Sequence, residues 1–534
     1  MFSECLPFTN IPHTSKLFLD FLSYSGNAPR FYPRSPYIRE WVQDEAKLID
    51  YPDDRRKAVA DILERQNREW GMGEKTAANL LRFRDGANVV VTGQQVGVFG
   101  GPLFAILKAL TAVALAEKAE SVGVPAVPVF WLATEDHDLA EVSVGSVPAS
   151  DGSLVTLKTS AQTIEESPVG DAVFTADIDT EVEKLQELLG PSDAMDALVS
   201  AYRAGENMGT AFAKFYSKVL ADWGILLIDA YDPEFHRLAK PIYLAAAEKA
   251  EKLDELLLQR GKELEAAGYH QQVKVTHSST QLFEILDGKR VVVQRSNGHF
   301  KAGANRYTKE ELLQRISNAP EKFSANVLLR PVMQDYLLPT LAYTGGPAEV
   351  AYFTQVGVVH EQLLGRKTPV IPRFSATIVE PKQQKFLNKY GLKLADLFHG
   401  PEKLRVTMAQ RVLPSSLQQD LESAEQLVAR AMEKIRVDLQ QLDPTLVDSA
   451  AKAEAKMRYQ VHRLSGRAAR AELKRNEVID SHARNLSTHL FPNKNLPERE
   501  ILGVYYVAKY GLDLLHMLYE AAQKECPDHQ VLFL

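Results

Sequence analysis

Cysteine is almost missing: Cys5 and Cys526 are the two in 534 residues, and they stand at opposite ends of the sequence. Spacing alone therefore offers neither a disulfide framework nor a thiolate metal site, and a reducing cytoplasm is the expected compartment. A basic excess is missing too. With 62 Lys+Arg against 69 Asp+Glu and a formal net charge of −7, the chain does not look like a dedicated nucleic-acid binder, and small-molecule work is the better expectation. The opening MFSECLPFTNIPHTSKLFLDF has no basic n-region and no apolar run of signal-peptide length. Nor does any later stretch reach the roughly 18 apolar residues that span a bilayer, so no membrane partner is expected. What is present is ordinary globular material, 45% hydrophobic and 25% charged, long enough for about three domains.

Residues 34 to 83 carry helix formers with charged faces and predict two or three short helices. Strand-like and helical runs then alternate: NVVVTG, a helix from Pro102 to about Glu120, VPAVPVFWLAT at 124 to 134, and GILLIDAY at 224 to 231. That alternation predicts βαβ units and a parallel sheet. Two hairpins with Asp-Gly turns interrupt it, at 143 to 160 and 276 to 300, and 234 to 267 reads as helical. From 327 the sheet pattern resumes with VLLRPVMQDYLLPTLAYTGGPAEV. The expected organisation is therefore N-terminal helices and the first half of an α/β core over 1–142, and an inserted hairpin segment over 143–222. The second half of the core follows over 223–378, with an insertion at about 234–325, and a helical region over 379–534. Within that last region Leu417, Leu421, Ala424, Val428, Ala431 and Ile435 recur at 4,3 spacing. After Asp443-Pro444 the spacing restarts at Leu446 and runs to Ala471, predicting an antiparallel coiled-coil hairpin over about 415–475. Its small residues bury little, so a second subunit is expected against it.

The chemistry-bearing residues cluster in three places. In VVVTGQQVGVFGGPLFAILKAL, residues 89–110, four glycines (Gly93, Gly97, Gly100 and Gly101) separate a strand from a helix. They match neither G-x-G-x-x-G nor the P-loop. A strand end, permissive glycines and a helix start still favour an anion, with Thr92, Gly93, Gln94, Gln95, Gly100 and Gly101 as candidate binding residues. A tight turn with glycines for packing alone is the plainer alternative. The Gly-Gly-Pro of 100–102 returns at 345–347, so Thr344, Gly345, Gly346, Glu349 and Tyr352 are candidates for the opposite wall of a cleft at the carboxyl ends of the strands. Third, WLATEDHDLAEV places Glu135, Asp136, His137 and Asp138 at a strand end. Asp136, His137 and Asp138 are candidates for acid/base or polar substrate contacts, against a solvated helix start. Consecutive side chains diverge and no second histidine stands at ligand spacing, so no metal site is expected. Arg330 and Arg373 follow apolar runs and suit a phosphate or carboxylate, with surface salt bridges as the plain alternative. Residues 452–475 hold eight Lys/Arg against two Glu, a solvated face or a docking place for a nucleotide phosphate.

TGQQVGVFGGPLFAILKA, FWLATEDHDLAEV, NVLLRPVMQDYLLPTLAYTGGPAEVAYF and PVIPRFSATIVE together resemble the motif blocks of the BshC family, cysteine ligases of bacillithiol biosynthesis. The resemblance runs through most of the chain. It implies a Rossmann-like core with inserted connecting segments, related to class I aminoacyl-tRNA synthetases, followed by a coiled coil tied to homodimer formation. It also implies ATP or ADP binding, with Mg as a counter-ion to the nucleotide. The implied reaction is the joining of cysteine to the amine of glucosaminyl-malate in the last step to bacillithiol. The synthetase signatures His-x-Gly-His and Lys-Met-Ser-Lys-Ser are absent, and neutral Gln94 and Gln95 occupy the corresponding loop, without the charge that histidine or lysine brings. A non-catalytic nucleotide-binding scaffold and a sugar-nucleotide transferase remain as alternative readings.

Overall fold

The computed structural model describes residues 2–524 and 526–534. The elements that build the cleft and its supports are, in chain order, β1 (Phe2–Leu6), β2 (Asn88–Gln94), α1 (Leu103–Glu120), β3 (Ala126–Leu132), β4 (Leu226–Asp229) and α2 (Pro233–Glu248). They continue with α3 (Arg330–Leu337), β5 (Thr340–Gly345), α4 (Pro347–Leu364), β6 (Val370–Pro372), β7 (Ala376–Val379), α5 (Ser415–Leu442), α6 (Leu446–Arg475) and β8 (His529–Phe533).

Strands β6, β5, β2, β3 and β4 lie side by side in that order, every pair parallel. The apolar runs explain why: a parallel sheet covered on both faces needs strands that are hydrophobic on both sides, and every residue of β3 is buried. Val127, Val129 and Trp131 enter one hydrophobic core, while Phe130 and Leu132 enter a second with Leu103, Ile106, Leu107 and Leu110 of α1. The fold is thus α/β with a parallel core, as the alternation of runs predicts, Rossmann-like as the resemblance implies, followed by a helical region.

The first predicted hairpin pairs Val144–Pro148 with Leu154–Lys158. The second grows into a five-stranded antiparallel sheet over 279–325, whose central pair, Ser279–Leu286 and Lys289–Ser296, turns at Asp287-Gly288. One expectation needs correcting. The apolar run from 327 begins with a helix, α3, and the strand starts only at Thr340. Pro331 explains this, since a residue without an N–H and with fixed φ cannot sit in a central strand but suits a helix's first turn.

A second sheet joins the two ends of the chain. β8 pairs antiparallel with β1 and parallel with β7, and Cys5 forms a disulfide with Cys526, with the two Cα atoms 6.6 Å apart. Sequence separation hid this pairing, because the partners meet only where β1 comes beside the segment leading into β8.

Helices α5 and α6 form the predicted helical hairpin. Its seam is shallow: Leu421, Ala424 and Val428 are half-buried, while Ile435, Met457 and Leu464 remain 45%, 48% and 58% exposed. Among the described residues no helix is long and apolar enough to cross a membrane.

Candidate active-site cleft

A cleft of about 920 Å³ opens at the carboxyl ends of β2, β3 and β5, where ligands bind in open α/β sheets. Both Gly-Gly-Pro segments reach it, through Pro102 on one side and Gly346 and Pro347 on the other. Gly93, Gln94 and Gln95 also line it, as do Glu349, Tyr352, Arg330 and Arg373. The echo read from sequence is therefore spatial.

The glycine loop divides between ligand and packing roles. A Cβ at Gly93 would lie 3.1 Å from the Trp131 carbonyl oxygen, so glycine there lets β2 and β3 approach closely. Gly100 and Gly101, expected at the ligand, are buried outside the cleft lining. The Gly100 N–H donates to the Tyr202 hydroxyl at 2.8 Å and its carbonyl accepts from Tyr216 at 3.0 Å. Both glycines have positive φ, +84° and +70°, a turn requirement. The α1 start is not free for an anion either: the Leu103 N–H donates to the Ile501 carbonyl at 2.9 Å, and the Gly503 N–H donates to Gly101. The C-terminal region thus covers this helix end, which leaves the packing reading for Gly100 and Gly101. Thr92 is likewise buried, donating to the Thr344 carbonyl at 2.8 Å; Thr344 is buried with its own hydroxyl unpartnered.

Positive charge enters the cleft floor from a residue that motif reading passed over. Lys108, alone among apolar residues in LFAILKALTAVALA, is 3% exposed and donates to the Gly93 carbonyl (2.8 Å) and Gln94 Oε1 (2.9 Å). It pairs with Glu349 at 2.5 Å. Glu349 also accepts from the Tyr343 hydroxyl at 2.5 Å and from the Gly346 N–H at 2.7 Å. Burial raises the Glu349 carboxyl, and Lys108 with these hydrogen bonds more than offsets it, holding it below the usual carboxylate value. Burial also lowers the Lys108 ammonium despite Glu349 beside it. A lone lysine inside an apolar helix was the legible signal.

Arg330 starts α3 beneath Trp131 and Tyr343, its guanidinium 5.8 and 5.6 Å from their ring centres. Its hydrogen bonds go to neutral groups, Gln334 at 3.0 Å and the Tyr352 hydroxyl at 3.5 Å. Burial opposes its charge, but Tyr352, Tyr343 and Glu349 outweigh that and keep it firmly protonated. Arg373 is different. Its guanidinium is clamped by Glu498 (2.6 and 3.2 Å), both side chains almost fully buried, so the expected anion partner is supplied by the protein itself. Only its Nε is left without a partner. Its backbone N–H donates to Gly345 at 2.8 Å; Gly345 does not line this cleft.

The acidic stretch follows β3. Asp136 accepts from Gln95 Nε2 at 2.7 Å, Asp138 caps the short helix Leu139–Val142 through the Glu141 N–H, and His137 is 43% exposed beside Asp136 and Arg290. Arg290 reaches over from the antiparallel insertion, donating to Ser324 Oγ (3.0 Å) and the Ala325 carbonyl (2.8 Å) and lying 4.0 Å above the Phe283 ring. No sequence motif marks it. Glu135 lines the cleft and is buried, and burial raises its carboxyl to about 7. Among the described residues no group of three or more His, Cys, Asp or Glu could hold a metal ion.

Fold and cleft together define a class: a Rossmann-like α/β protein with a small-molecule cleft at its strand ends and an appended helical hairpin. Two family models match the chain, "Bacillithiol biosynthesis BshC, N-terminal Rossmann-like domain" over residues 1–374 and "Bacillithiol biosynthesis BshC, C-terminal coiled-coil domain" over 376–534. Curated relatives named "Putative cysteine ligase BshC" are 47% identical in Koribacter versatilis and 36% identical in Solibacter usitatus, each covering 100% of both chains. A relative of that name in Bacillus cereus is 29% identical over 90% of this chain and 91% of its own. The chain belongs to the BshC family. A solved chain described as an arginyl-tRNA synthetase from Campylobacter jejuni aligns over 87% of this chain and 97% of its own, at 9% identity and a TM-score of 0.24, too low to bear on the fold.

Proposed function

We propose that this protein is an ATP-dependent cysteine ligase that joins the carboxyl group of cysteine to the amine of glucosaminyl-malate, forming bacillithiol in the last step of that pathway. Family membership supports the ligase reading, and the observation that carries it to this cleft is its two-signed lining. Lys108, Arg330, Arg290 and Arg499 bring cationic groups to the same cavity as Glu135, Asp136 and Glu141. Such a lining fits substrates that carry both carboxylates and amines. The neutral-bonded guanidinium of Arg330 fits an anionic phosphate group. The nucleotide supplies the activation that amide formation in water requires. Arg330 stabilises negative charge as it develops, Glu349 holds Lys108 in place, and the aromatic wall of Trp131, Tyr343 and Tyr352 limits water around the reacting carbonyl. The exposed apolar residues of the hairpin support a second copy docking there.

The test is direct: purified full-length protein is mixed with cysteine, glucosaminyl-malate and ATP, and the amide is followed by mass spectrometry. Bacillithiol together with released AMP or ADP is the expected outcome. Nucleotide turnover or binding with no amide formed refutes the ligase reading and leaves a regulatory nucleotide-binding scaffold.

A further inference from the structure

We propose that Glu135 is the general base that takes the proton from the attacking amine, with His236 standing behind it as a positioning residue. The inference rests on the ligase reading and moves the acceptor role one residue upstream of Asp136, His137 and Asp138. Glu135 sits just beyond the carboxyl end of β3, lines the cleft, and keeps a side chain only 8% exposed. Its Oε1 stands 3.7 Å from Nε2 of His236, and neither atom has a hydrogen-bond partner. A buried carboxylate oxygen left unpaired is costly. Oε1 faces the imidazole, while the carboxyl group as a whole still lines the cleft where a substrate amine would meet it.

The support behind Glu135 suits a group that changes protonation state. His236 Nδ1 meets the Tyr243 hydroxyl at 2.9 Å, and that hydroxyl lies 3.1 Å from Met333 Sδ. Burial pushes the imidazole down to about 4, so the ring is neutral at pH 7. A neutral imidazole carries one N–H, and the Phe323 and Tyr231 backbone also lies against this ring. Nε2 can donate to the carboxylate or accept from the carboxylic acid, so a small closing movement satisfies the pair in either state.

The alternatives along the same stretch are already engaged. Both oxygens of Asp136 accept hydrogen bonds, from Gln95 and from the His137 N–H, and Asp138 caps a helix. His137 lies out in solvent beside Arg290. Around Glu135, Arg290 and Arg330 favour its charged form while Asp229 disfavours it, and burial outweighs them all. Tyr231 and Tyr243 also feel its charge. Asp229 is itself raised to about 6 by burial. A carboxyl titrating near neutrality is matched to accepting a proton at physiological pH.

In the step itself the amine nitrogen forms a C–N bond to the cysteine carbonyl carbon, whose carboxyl oxygen a nucleoside triphosphate has phosphorylated or adenylylated. The C–O bond to that oxygen breaks, and the oxygen leaves with the electron pair on phosphate or nucleoside monophosphate. The proton shed by nitrogen ends on Glu135.

Two measurements test this. In the amide-forming assay Glu135→Gln is expected to lower kcat at least about 100-fold with KM for the amine changed less than about threefold, and His137→Ala to stay within about threefold of wild type. The acid limb of the wild-type pH profile should fall near 7 and be displaced in His236→Gln. Equal losses in Glu135→Gln and His137→Ala, or an active Glu135→Gln, overturn the assignment. If wild type makes no amide, the ligase reading fails, and calorimetry with glucosaminyl-malate alone still decides the contact. Binding in buffers of different ionisation enthalpy should show proton exchange between pH 6 and 8 that Glu135→Gln lacks; no binding, or the same exchange in both proteins, overturns it. Glu135→Asp, which keeps the carboxylate, guards against a folding artefact, because its melting temperature and residual activity should exceed those of a misfolded chain.

Discussion

Replacing Lys108 by methionine keeps the volume but removes the charge, and the structure sets the size of the effect. Three contacts are lost, to the Gly93 carbonyl, Gln94 Oε1 and Glu349. Breaking one side of a buried ion pair costs about 3–5 kcal/mol because the other charge stays behind. Glu349 has an escape, however: it can take up a proton. From an unperturbed carboxyl value that costs about 4 kcal/mol at pH 7 and about 1 kcal/mol at pH 5, so the penalty of K108M has a ceiling that falls with pH. The sign follows from linkage. In wild type the Glu349 carboxyl is depressed, so its contribution is present above the unfolded carboxyl value and lost as pH falls through the folded one. In K108M burial is no longer offset by Lys108 and raises the carboxyl above its unfolded value, so the variant regains stability as pH falls from 7 toward 5. The expected result is a destabilisation of about 4 kcal/mol at pH 7 that shrinks by about 3 kcal/mol at pH 5, measured from urea unfolding of the tryptophan fluorescence. Because a chain this long unfolds through intermediates, hydrogen exchange of the peptide containing Gly346, whose N–H donates to Glu349, supplies a local reading. Adding E349Q should remove the pH dependence and recover part of the loss. A pH-independent penalty, or a double variant costing the sum of the singles, would show that the pair does not act as a unit.

Other outcomes follow from single features. His529 is buried between Ser375 and Thr377 (2.7 and 2.8 Å) and pushed down to about 4 by burial. Its stability contribution is complete above the unfolded histidine value near 6.5 and fades as pH falls toward 4, by roughly 3 kcal/mol in total; H529Q should therefore flatten the acid side of a stability curve, and parallel curves would contradict this. Gly100 and Gly123 share φ +84°, but a Cβ at Gly100 meets the Phe215 ring while one at Gly123 meets nothing within 4 Å. Differential scanning should find G123A costing about 1–2 kcal/mol and G100A a further 1–3 kcal/mol. If the exposed seam of the hairpin receives a second copy, I435D combined with L464D should convert a dimer to a monomer in light scattering with circular dichroism unchanged; a wild-type monomer at micromolar concentration rejects the interface.

What the sequence disclosed, and what it hid, divides by range. The apolar runs of β2 and β3 and the 4,3 spacing after Leu417 are local patterns, and they appear as sheet and hairpin. The second Gly-Gly-Pro was legible because Gly346 and Pro347 open a helix on a strand adjoining β2. Reading failed where distant segments decide. Nothing near Gly101 announces that Ile501 covers the α1 start, nor that Glu498 takes Arg373. Arg290 comes from an insertion whose sequence shows only a hairpin. Glu135 was visible among four ionisable neighbours, but which of them is buried depends on α2 packing behind it. Pro331 deserved more weight than the apolar residues around it, since it alone separates helix from strand there.

The sheet that joins the first strand to the last has a consequence for how the protein is made. A ribosome releases β1 more than five hundred residues before its partner β8, and Glu498 and Ile501 come well after the strands they complete. Segments usually fold in the order they appear. Here the parallel core can form early, yet the cleft stays open at Arg373 and at the α1 end until the segment carrying Glu498 and Ile501 has emerged. A product truncated before Glu498 would therefore carry Arg373 without its carboxylate partner and β1 with a bare edge.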